Sequence, residues 1–111
     1  VGYRALRGST TPANNTGTGN TAVGHGAMIS TTSGFGNSAL GLNAMADITS
    51  GAGNVAVGNG AMESNTIGND SVAIGEAALA YGTNVFSQVA IGRNALIDTN
   101  NSTDNTAIGI Y

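Results

Sequence analysis

The stretch NVAVGNGAM at residues 54–62 decides the fold of this chain, because the same pattern returns at a fixed interval. Each copy centres on a glycine that directly follows an aliphatic residue, and these anchor glycines recur with a constant 17-residue period. A constant period is typical of a repeat protein, in which each copy forms one structural unit. The anchor glycines are Gly24, Gly41, Gly58, Gly75, Gly92 and Gly109, and an earlier anchor, Gly2, is separated from Gly24 by one period and a short insertion.

Four further positions are nearly constant when they are counted from the anchor glycine. Positions −2 and +3 carry alanine, position −1 carries Val, Leu or Ile, and position +4 carries Met or Leu. Large apolar residues at fixed places in a repeat are expected to fill its interior, so both large columns are predicted structural core. They are Val23, Leu40, Val57, Ile74, Ile91 and Ile108 at position −1, and Met28, Met45, Met62, Leu79 and Leu96 at position +4.

The length of the repeat indicates its architecture. Seventeen residues are too few for a helical hairpin unit, and each glycine inside a helix would cost about 1 kcal/mol. Short β-branched segments such as TAVG and SVAIG, separated by Gly and Asn, favour strands joined by turns. We therefore predict an all-β fold, a β-solenoid (β-roll) of 17-residue coils stacked about 4.8 Å apart. Because the sequence starts within one motif and stops within another, residues 1–111 are expected to be a single repeat segment of a longer fibre.

Turn residues occupy the remaining columns. The anchor glycines are predicted turn positions, where a bend or a close backbone approach leaves no room for a Cβ. A second glycine stands at position −7 in four copies, as Gly17, Gly34, Gly51 and Gly68. Stacked coils place like residues above like, so we predict a side-chain amide ladder at position −4. This column contains Asn20, Asn37, Asn54 and Asn105, with Ser71 and Gln88 in the two other copies.

One chain has little apolar volume for a core of its own. The apolar fraction of 41% is rich in Ala, and the sequence contains no Trp. A triangular single-chain solenoid needs an aliphatic column on each of its three sides, whereas this repeat has two strong columns. We therefore expect several copies to share the burial, most simply as a homotrimer with one apolar column inside each coil and another facing the common axis.

The composition argues against several other classes of protein. Three Arg, no Lys and a net charge of −3 disfavour binding to nucleic acid or to an anionic membrane surface. No apolar run approaches the roughly 18 residues of a membrane-spanning helix, so no membrane insertion is expected in this segment. The absence of Cys excludes a disulfide framework and a thiolate metal site.

Residues that carry chemistry are few and scattered. His25, the single histidine, stands at the variable position +1, which favours a surface residue over a metal ligand or a catalytic base. The acidic residues lie in different columns or at least two coils apart, which favours solvated charge over a carboxylate pair or a calcium ladder. They are Asp47, Glu63, Asp70, Glu76, Asp98 and Asp104. No catalytic, cofactor-binding or metal-binding residue is predicted, and the chain is not expected to be an enzyme.

The aromatic residues leave two interpretations open. Tyr3, Tyr81, Phe35 and Phe86 could line a glycan-binding groove, or the two Phe could be buried between coils or chains. A surface that recognises ice or a crystalline polymer is a further possibility, but its threonine ladder would be interrupted. Position −3 alternates between Thr21, Ser38, Val55, Val72, Val89 and Thr106.

The NTAVG, SVAIG and QVAIG boxes, each followed two residues later by AL or AM, resemble the head repeats of trimeric autotransporter adhesins. They are also similar to the related repeats of bacteriophage tail fibres and spikes, and the resemblance covers essentially the whole chain. It implies a left-handed β-roll, three chains around one axis, and the aliphatics from Val23 to Ile108 with their neighbouring alanines in the core and the trimer interface. The 17-residue coils are longer than is usual for adhesin heads, and connectors such as TTSGFGN are closer to phage fibres.

The function expected on these grounds is a structural and adhesive one. The chain would be a segment of an extracellular trimeric fibre, a phage tail fibre or a bacterial surface adhesin, that attaches to a host or surface. Its partners would be two further copies of itself and a host surface glycan or protein receptor. The alternative is a non-catalytic part of a polysaccharide-degrading phage tailspike, whose active site lies elsewhere or across subunits.

Overall fold

Short strands recur once in every repeat. The computed structural model describes the backbone of residues 1–111 and the side chains of residues 1–11 and 13–111. Each strand contains only positions −3 to −1, because the anchor glycine that follows ends the extended segment. The strands are β1 Thr21–Val23, β2 Ser38–Leu40, β3 Val55–Val57, β4 Val72–Ile74, β5 Val89–Ile91 and β6 Thr106–Ile108, and a short 3-10 helix covers Pro12–Asn14.

The six strands form a parallel sheet in the order β1-β2-β3-β4-β5-β6. Each strand pairs with the next in a register that joins identical columns, as Ala39 with Ala56 and Leu40 with Val57. Consecutive parallel strands of this kind require the chain to wind once around between them, so the fold is a β-solenoid of 17-residue coils, as predicted. Its principal extents are 39 × 24 × 18 Å.

The interior is a thin layer of alanine and of the position +4 side chains. Met28, Met45, Met62 and Leu79 are completely buried, and Leu96 is partly buried against the same cluster. Alanines at positions −2 and +3 fill the space around them, because each strand directs its middle residue inward. Ile48 and Val85, both larger than the surrounding alanines, complete the core.

The position −1 column does not belong to the interior of the single chain, so position +4 supplies the apolar column that lies inside the coil. Side chains alternate between the two faces of a strand, so the buried alanine at position −2 forces positions −3 and −1 outward. Val23, Leu40, Ile74 and Ile108 are exposed, and Val57 and Ile91 are half-buried. The smaller residue lies inside because the Met or Leu at position +4 already occupies the core.

The segment that follows each anchor glycine explains how the Met and Leu side chains reach the interior. Successive N–H groups alternate there: Ala27 N–H closes a local turn on the Gly24 carbonyl, and Met28 N–H bonds to Ala44 in the next coil. This path needs positive φ at positions +2 and +4, so Met28, Met45 and Met62 have φ near 51°. The left-handed conformation costs about 1–2 kcal/mol and burial of Met contributes about 1.5–3 kcal/mol, so burial prevails.

The anchor glycines lie where neighbouring coils approach most closely. Gly41 and Gly58 have φ of 141° and 136°, values that side chains disfavour. A Cβ placed on Gly41 would lie 2.6 Å from the carbonyl carbon of Gly58 in the next coil. Both the conformation and the contact therefore exclude a side chain at this position.

The predicted ladder is present at position −4 from Asn20 to Gln88. Asn54 Nδ2 donates to Asn37 Oδ1 at 3.0 Å and to the Gly68 carbonyl at 2.7 Å, while the Ser71 N–H donates to Asn54 Oδ1 at 3.1 Å. Ser71 continues the ladder with its hydroxyl, which accepts from the Gln88 N–H at 3.1 Å. These bonds satisfy backbone groups that each coil would otherwise bury without partners.

Candidate interaction surface

One face of the sheet is directed away from the core. It contains the outward side chains of all six strands, and we refer to these two columns as the outer sheet face. They are Thr21, Ser38, Val55, Val72, Val89 and Thr106 at position −3, and Val23, Leu40, Val57, Ile74, Ile91 and Ile108 at position −1. Because the strands are in register, the side chains form two straight rows rather than a staggered surface.

The outer sheet face is apolar and uncharged. Its centre consists of two aliphatic side chains on each of β3, β4 and β5, and its ends carry hydroxyls at Thr21, Ser38 and Thr106. Leu40 is 51% exposed and Ile74 is 39% exposed. Leu42 adds a further exposed aliphatic just after the anchor glycine of its coil. Contiguous exposed apolar surface makes this face the candidate interaction surface of the chain.

The dimensions of the face follow from strand geometry. Six parallel strands about 4.8 Å apart extend for about 24 Å, and the two rows on each strand lie about 7 Å apart. The short strands leave little length over which twist can displace the rows from one another. The result is a narrow apolar stripe that runs along the solenoid axis.

The titratable residues predicted to be surface groups lie outside the two columns of the outer sheet face, although His25 and Glu76 share the column of Leu42. His25 is exposed, and its ring contacts that of Tyr3 edge-on with centroids 5.3 Å apart. Asp70 and Asp104 have φ of 56° and 60°, so they occupy a left-handed turn position that Asp tolerates. Within the described residues, His, Asp and Glu do not form a group of three that could hold a metal ion.

The aromatic residues divide between the surface and the coil. Tyr3, Tyr81 and Phe35 are exposed, with Phe35 at 59%, whereas Phe86 is half-buried. Phe35 pairs through an isolated bridge with Ala52 of the next coil, and Phe86 pairs likewise with Thr103. The two Phe therefore occupy the same column on a side of the coil other than the outer sheet face.

A threonine ladder escaped the sequence reasoning, although its column is regular. Thr32, Thr49, Thr66 and Thr83 recur with the same period at position +8. The carbonyl of Thr49 accepts both the N–H and the hydroxyl of Thr32, at 3.0 and 3.2 Å. This doubled bond holds successive coils together away from the short strands, and the column could have been recognised by comparing the looser halves of the repeats.

In the part of the chain that the structure describes, no helix has the length and hydropathy needed to cross a membrane. The 3-10 helix, Pro12–Asn14, contains three residues.

Comparison with known proteins adds no assignment to this geometry. No protein-family model, curated protein or solved structure matches the chain.

Proposed function

We propose that this chain is a structural and adhesive segment of an extracellular homotrimeric fibre, such as a phage tail fibre or a bacterial surface adhesin. The observation that carries the proposal is the outer sheet face, a straight apolar stripe on a chain whose own core is too thin to use it. Three copies that direct this face toward a common axis would bury it and form a continuous rod.

The energetics favour burial of the stripe. Full burial of a Val, Leu or Ile side chain contributes about 1.5–3 kcal/mol relative to exposure. Association can still gain a large part of this free energy at position −1. In the single chain, Val23, Leu40 and Ile74 expose between 38% and 51% of their surface. Each added coil extends the stripe by two more side chains, so the interface grows in proportion to the length of the fibre.

The coil's construction also suits a load-carrying role. Backbone hydrogen bonds along the axis link every coil to the next, and the amide and threonine ladders add side-chain bonds in the same direction. The proposal includes a left-handed roll, as the resemblance implies. It also includes display of the fibre on a virion or cell surface.

The oligomeric state in solution tests the assembly. Sedimentation equilibrium should give about three times the 10.8 kDa mass of one chain. The double variant Ile74→Thr and Ile91→Thr keeps β-branched residues on the strands but makes the stripe polar. Each substitution occurs three times around the axis, so we expect the association constant to fall by at least about tenfold.

A matched control uses the same chemistry elsewhere. Ile67 is 45% exposed but lies outside the outer sheet face, so Ile67→Thr should leave the oligomer unchanged. A wild-type chain that remains monomeric at all concentrations, or an oligomer that responds equally to Ile67→Thr, would contradict an interface formed by this face.

A further inference from the structure

An open groove runs beside Phe35 on a side of the coil other than the outer sheet face. It encloses a cavity of about 440 Å³, which falls within the range of small-molecule sites. We refer to it as the Phe35 groove. Its walls and floor come from three consecutive coils and consist of Phe35, Ser50, Ala52, Gly53, Asn69 and Asp70.

Phe35 gives the groove an exposed aromatic wall. The ring is 59% exposed, and its backbone is fixed by the bridge to Ala52. The small side chain of Ala52 in the next coil leaves the ring uncovered. An aromatic face carries partial negative charge and attracts polarised C–H groups that approach it flat.

The opposite part of the groove is polar and held in place. Asn69 Oδ1 accepts the Ala52 N–H at 2.8 Å, which fixes the carboxamide, so this side chain presents its Nδ2 donors to a ligand. Asp70 presents carboxylate acceptors, and it leans over Gly53, where an added Cβ would lie 2.7 Å from Asp70 Oδ1. Ser50 contributes a hydroxyl that can donate and accept.

The charge of the groove selects against anions. Asp70 is the one charged residue among the six that line it. A carboxylate, sulfate or phosphate on a ligand would be repelled by Asp70 and would meet no neutralising side chain there. The groove therefore suits a neutral ligand with one flat C–H face and several hydroxyl groups around its edge.

A second aromatic residue lies in the column of Phe35 further along the axis, outside the lining of the groove. Phe86 stands three coils after Phe35 in the same column, with Ala52 and Asn69 between them. Stacked coils place the two backbones about 14 Å apart. A ligand that touches both rings must be elongated and must run parallel to the solenoid axis.

We propose that the Phe35 groove binds a neutral oligosaccharide, with one sugar ring stacked on Phe35 and its hydroxyls bonded to Asp70 and Asn69. The flat C–H face and the ring of hydroxyls of a pyranose match the aromatic wall and the polar residues of the groove. This proposal names the ligand class for the adhesive role proposed above and rests on that role, but the groove lies within one chain and does not need the trimer interface.

The test is a titration of the isotope-labelled chain with maltotriose, cellotriose and triacetylchitotriose, followed by amide NMR shifts. At about 10 mM sugar, a site with a Kd of about 1 mM is nine-tenths filled. At least one of the three should shift the amides of Gly53, Asn69 and Asp70. Trigalacturonate, an acidic trisaccharide, should produce no such shifts.

Substitutions by residues that occur at the same position in other coils test whether the sugar binds at the Phe35 groove. Phe35→Thr places the residue found in this column at Thr18 and Thr103, and it should weaken binding by about tenfold, equivalent to about 1.4 kcal/mol. Asp70→Gly places the residue found at Gly19, Gly36 and Gly53 and should weaken binding similarly. Asp104→Gly, in the same column outside the groove, and Tyr81→Ser, on another side of the coil, should leave the Kd unchanged.

Each other outcome overturns the proposal. These outcomes are no shift with any of the three neutral sugars, equal binding of trigalacturonate, and unchanged binding by Phe35→Thr. Sedimentation of the same samples separates this proposal from the trimer: a monomer that binds sugar contradicts the assembly alone, and a trimer that does not bind contradicts the groove alone. Dissociation of the oligomer by Phe35→Thr would place Phe35 in an interface and exclude it from a sugar site.

Discussion

The connectors that lead into the strands differ between the two halves of the solenoid. The first three connectors are GTGN, GFGN and GAGN, at residues 17–20, 34–37 and 51–54, whereas the last three are GNDS, VFSQ and STDN, at 68–71, 85–88 and 102–105. The third residue of all six has φ between 53° and 68°. The stack of coils therefore imposes the backbone path, and glycine at this position lowers its cost without being required for it.

The same comparison shows that one corner of the core can be filled from either of two positions of the repeat, +7 or −7. In the first half Ile48 at position +7 fills the corner beside Gly51, and an added Cβ on Gly51 would lie 2.5 Å from Ile48 Cδ1. In the second half the large and small residues are exchanged. Val85 fills the corner beside Gly82, and an added Cβ on Gly82 would lie 2.5 Å from Val85 Cγ1.

The largest loss of stability should come from placing valine, the side chain of Val85 in the second half, at Gly51 in the first half. Gly51→Val introduces atoms where Ile48 and the Gly68 carbonyl already lie, so we expect the free energy of unfolding to fall by about 3 kcal/mol or more. Combining it with Ile48→Gly recreates the exchanged arrangement and should recover about 1 kcal/mol or more of coupling energy. Urea unfolding of the single and double variants measures both quantities.

A neighbouring substitution serves as the control for this cycle. Ala52→Val introduces the same side chain by adding two methyl groups on the half-exposed side of the coil, and it should change the free energy of unfolding by at most about 0.5 kcal/mol. Strictly additive losses in the Gly51 and Ile48 variants would show that the two residues do not compete for one space.

The amide ladder should break more severely in the first half than in the second. Asn54→Ala removes the acceptor of the Ser71 N–H and the donor to the Gly68 carbonyl, and both groups are buried, so we expect a loss of about 3 kcal/mol. Ser71→Ala removes the acceptor of the Gln88 N–H and should cost about 1–2 kcal/mol. Thermal unfolding of the two variants gives the order, and an equal or reversed order would contradict it.

The smallest effect concerns the left-handed position of the connector. Ser87→Gly relieves the side-chain cost of φ 53° but gives the unfolded chain more freedom, so we expect a net stabilisation of up to about 1 kcal/mol. The reciprocal change Gly36→Ser, where the nearest non-neighbouring atom to an added Cβ is the Gly53 nitrogen at 4.0 Å, should destabilise by a similar amount. Calorimetric melting temperatures that move in the same direction for both variants would show that φ at this position does not control stability.

The period and the glycine columns were sufficient to predict the stacked coils, the parallel register and the amide ladder. They did not reveal which large column lies inside. Val57 and Met62 are both large apolar residues, but Met62, with φ of 52°, is fully buried, whereas Val57 lies on the outward side of its strand. A Met or Leu residue in the sequence does not indicate positive φ, since both residues disfavour it. The free energy that this conformation costs is offset by burial of the side chain in the assembled coil.

The candidate surfaces were predictable to different degrees. The sequence identified the aliphatic residues of the outer sheet face but not the direction in which they point. They point outward because the alanine between them points inward, into a core that the Met and Leu side chains at position +4 already fill. The aromatic column was open between two interpretations, because the exposure of Phe35 depends on the small size of Ala52 one coil away. Such contacts between coils become visible only when the register is fixed in three dimensions.

The identical pairing of neighbouring strands has a consequence for inheritance. Since every coil offers the same columns to the coil on either side, a gene could gain or lose the codons of one whole coil and encode a rod that differs only in length. Ile48 with Gly51, and Gly82 with Val85, are close neighbours in the sequence. Recombination would therefore seldom separate the partners of a corner, and whole coils could be shuffled without mismatching their interiors.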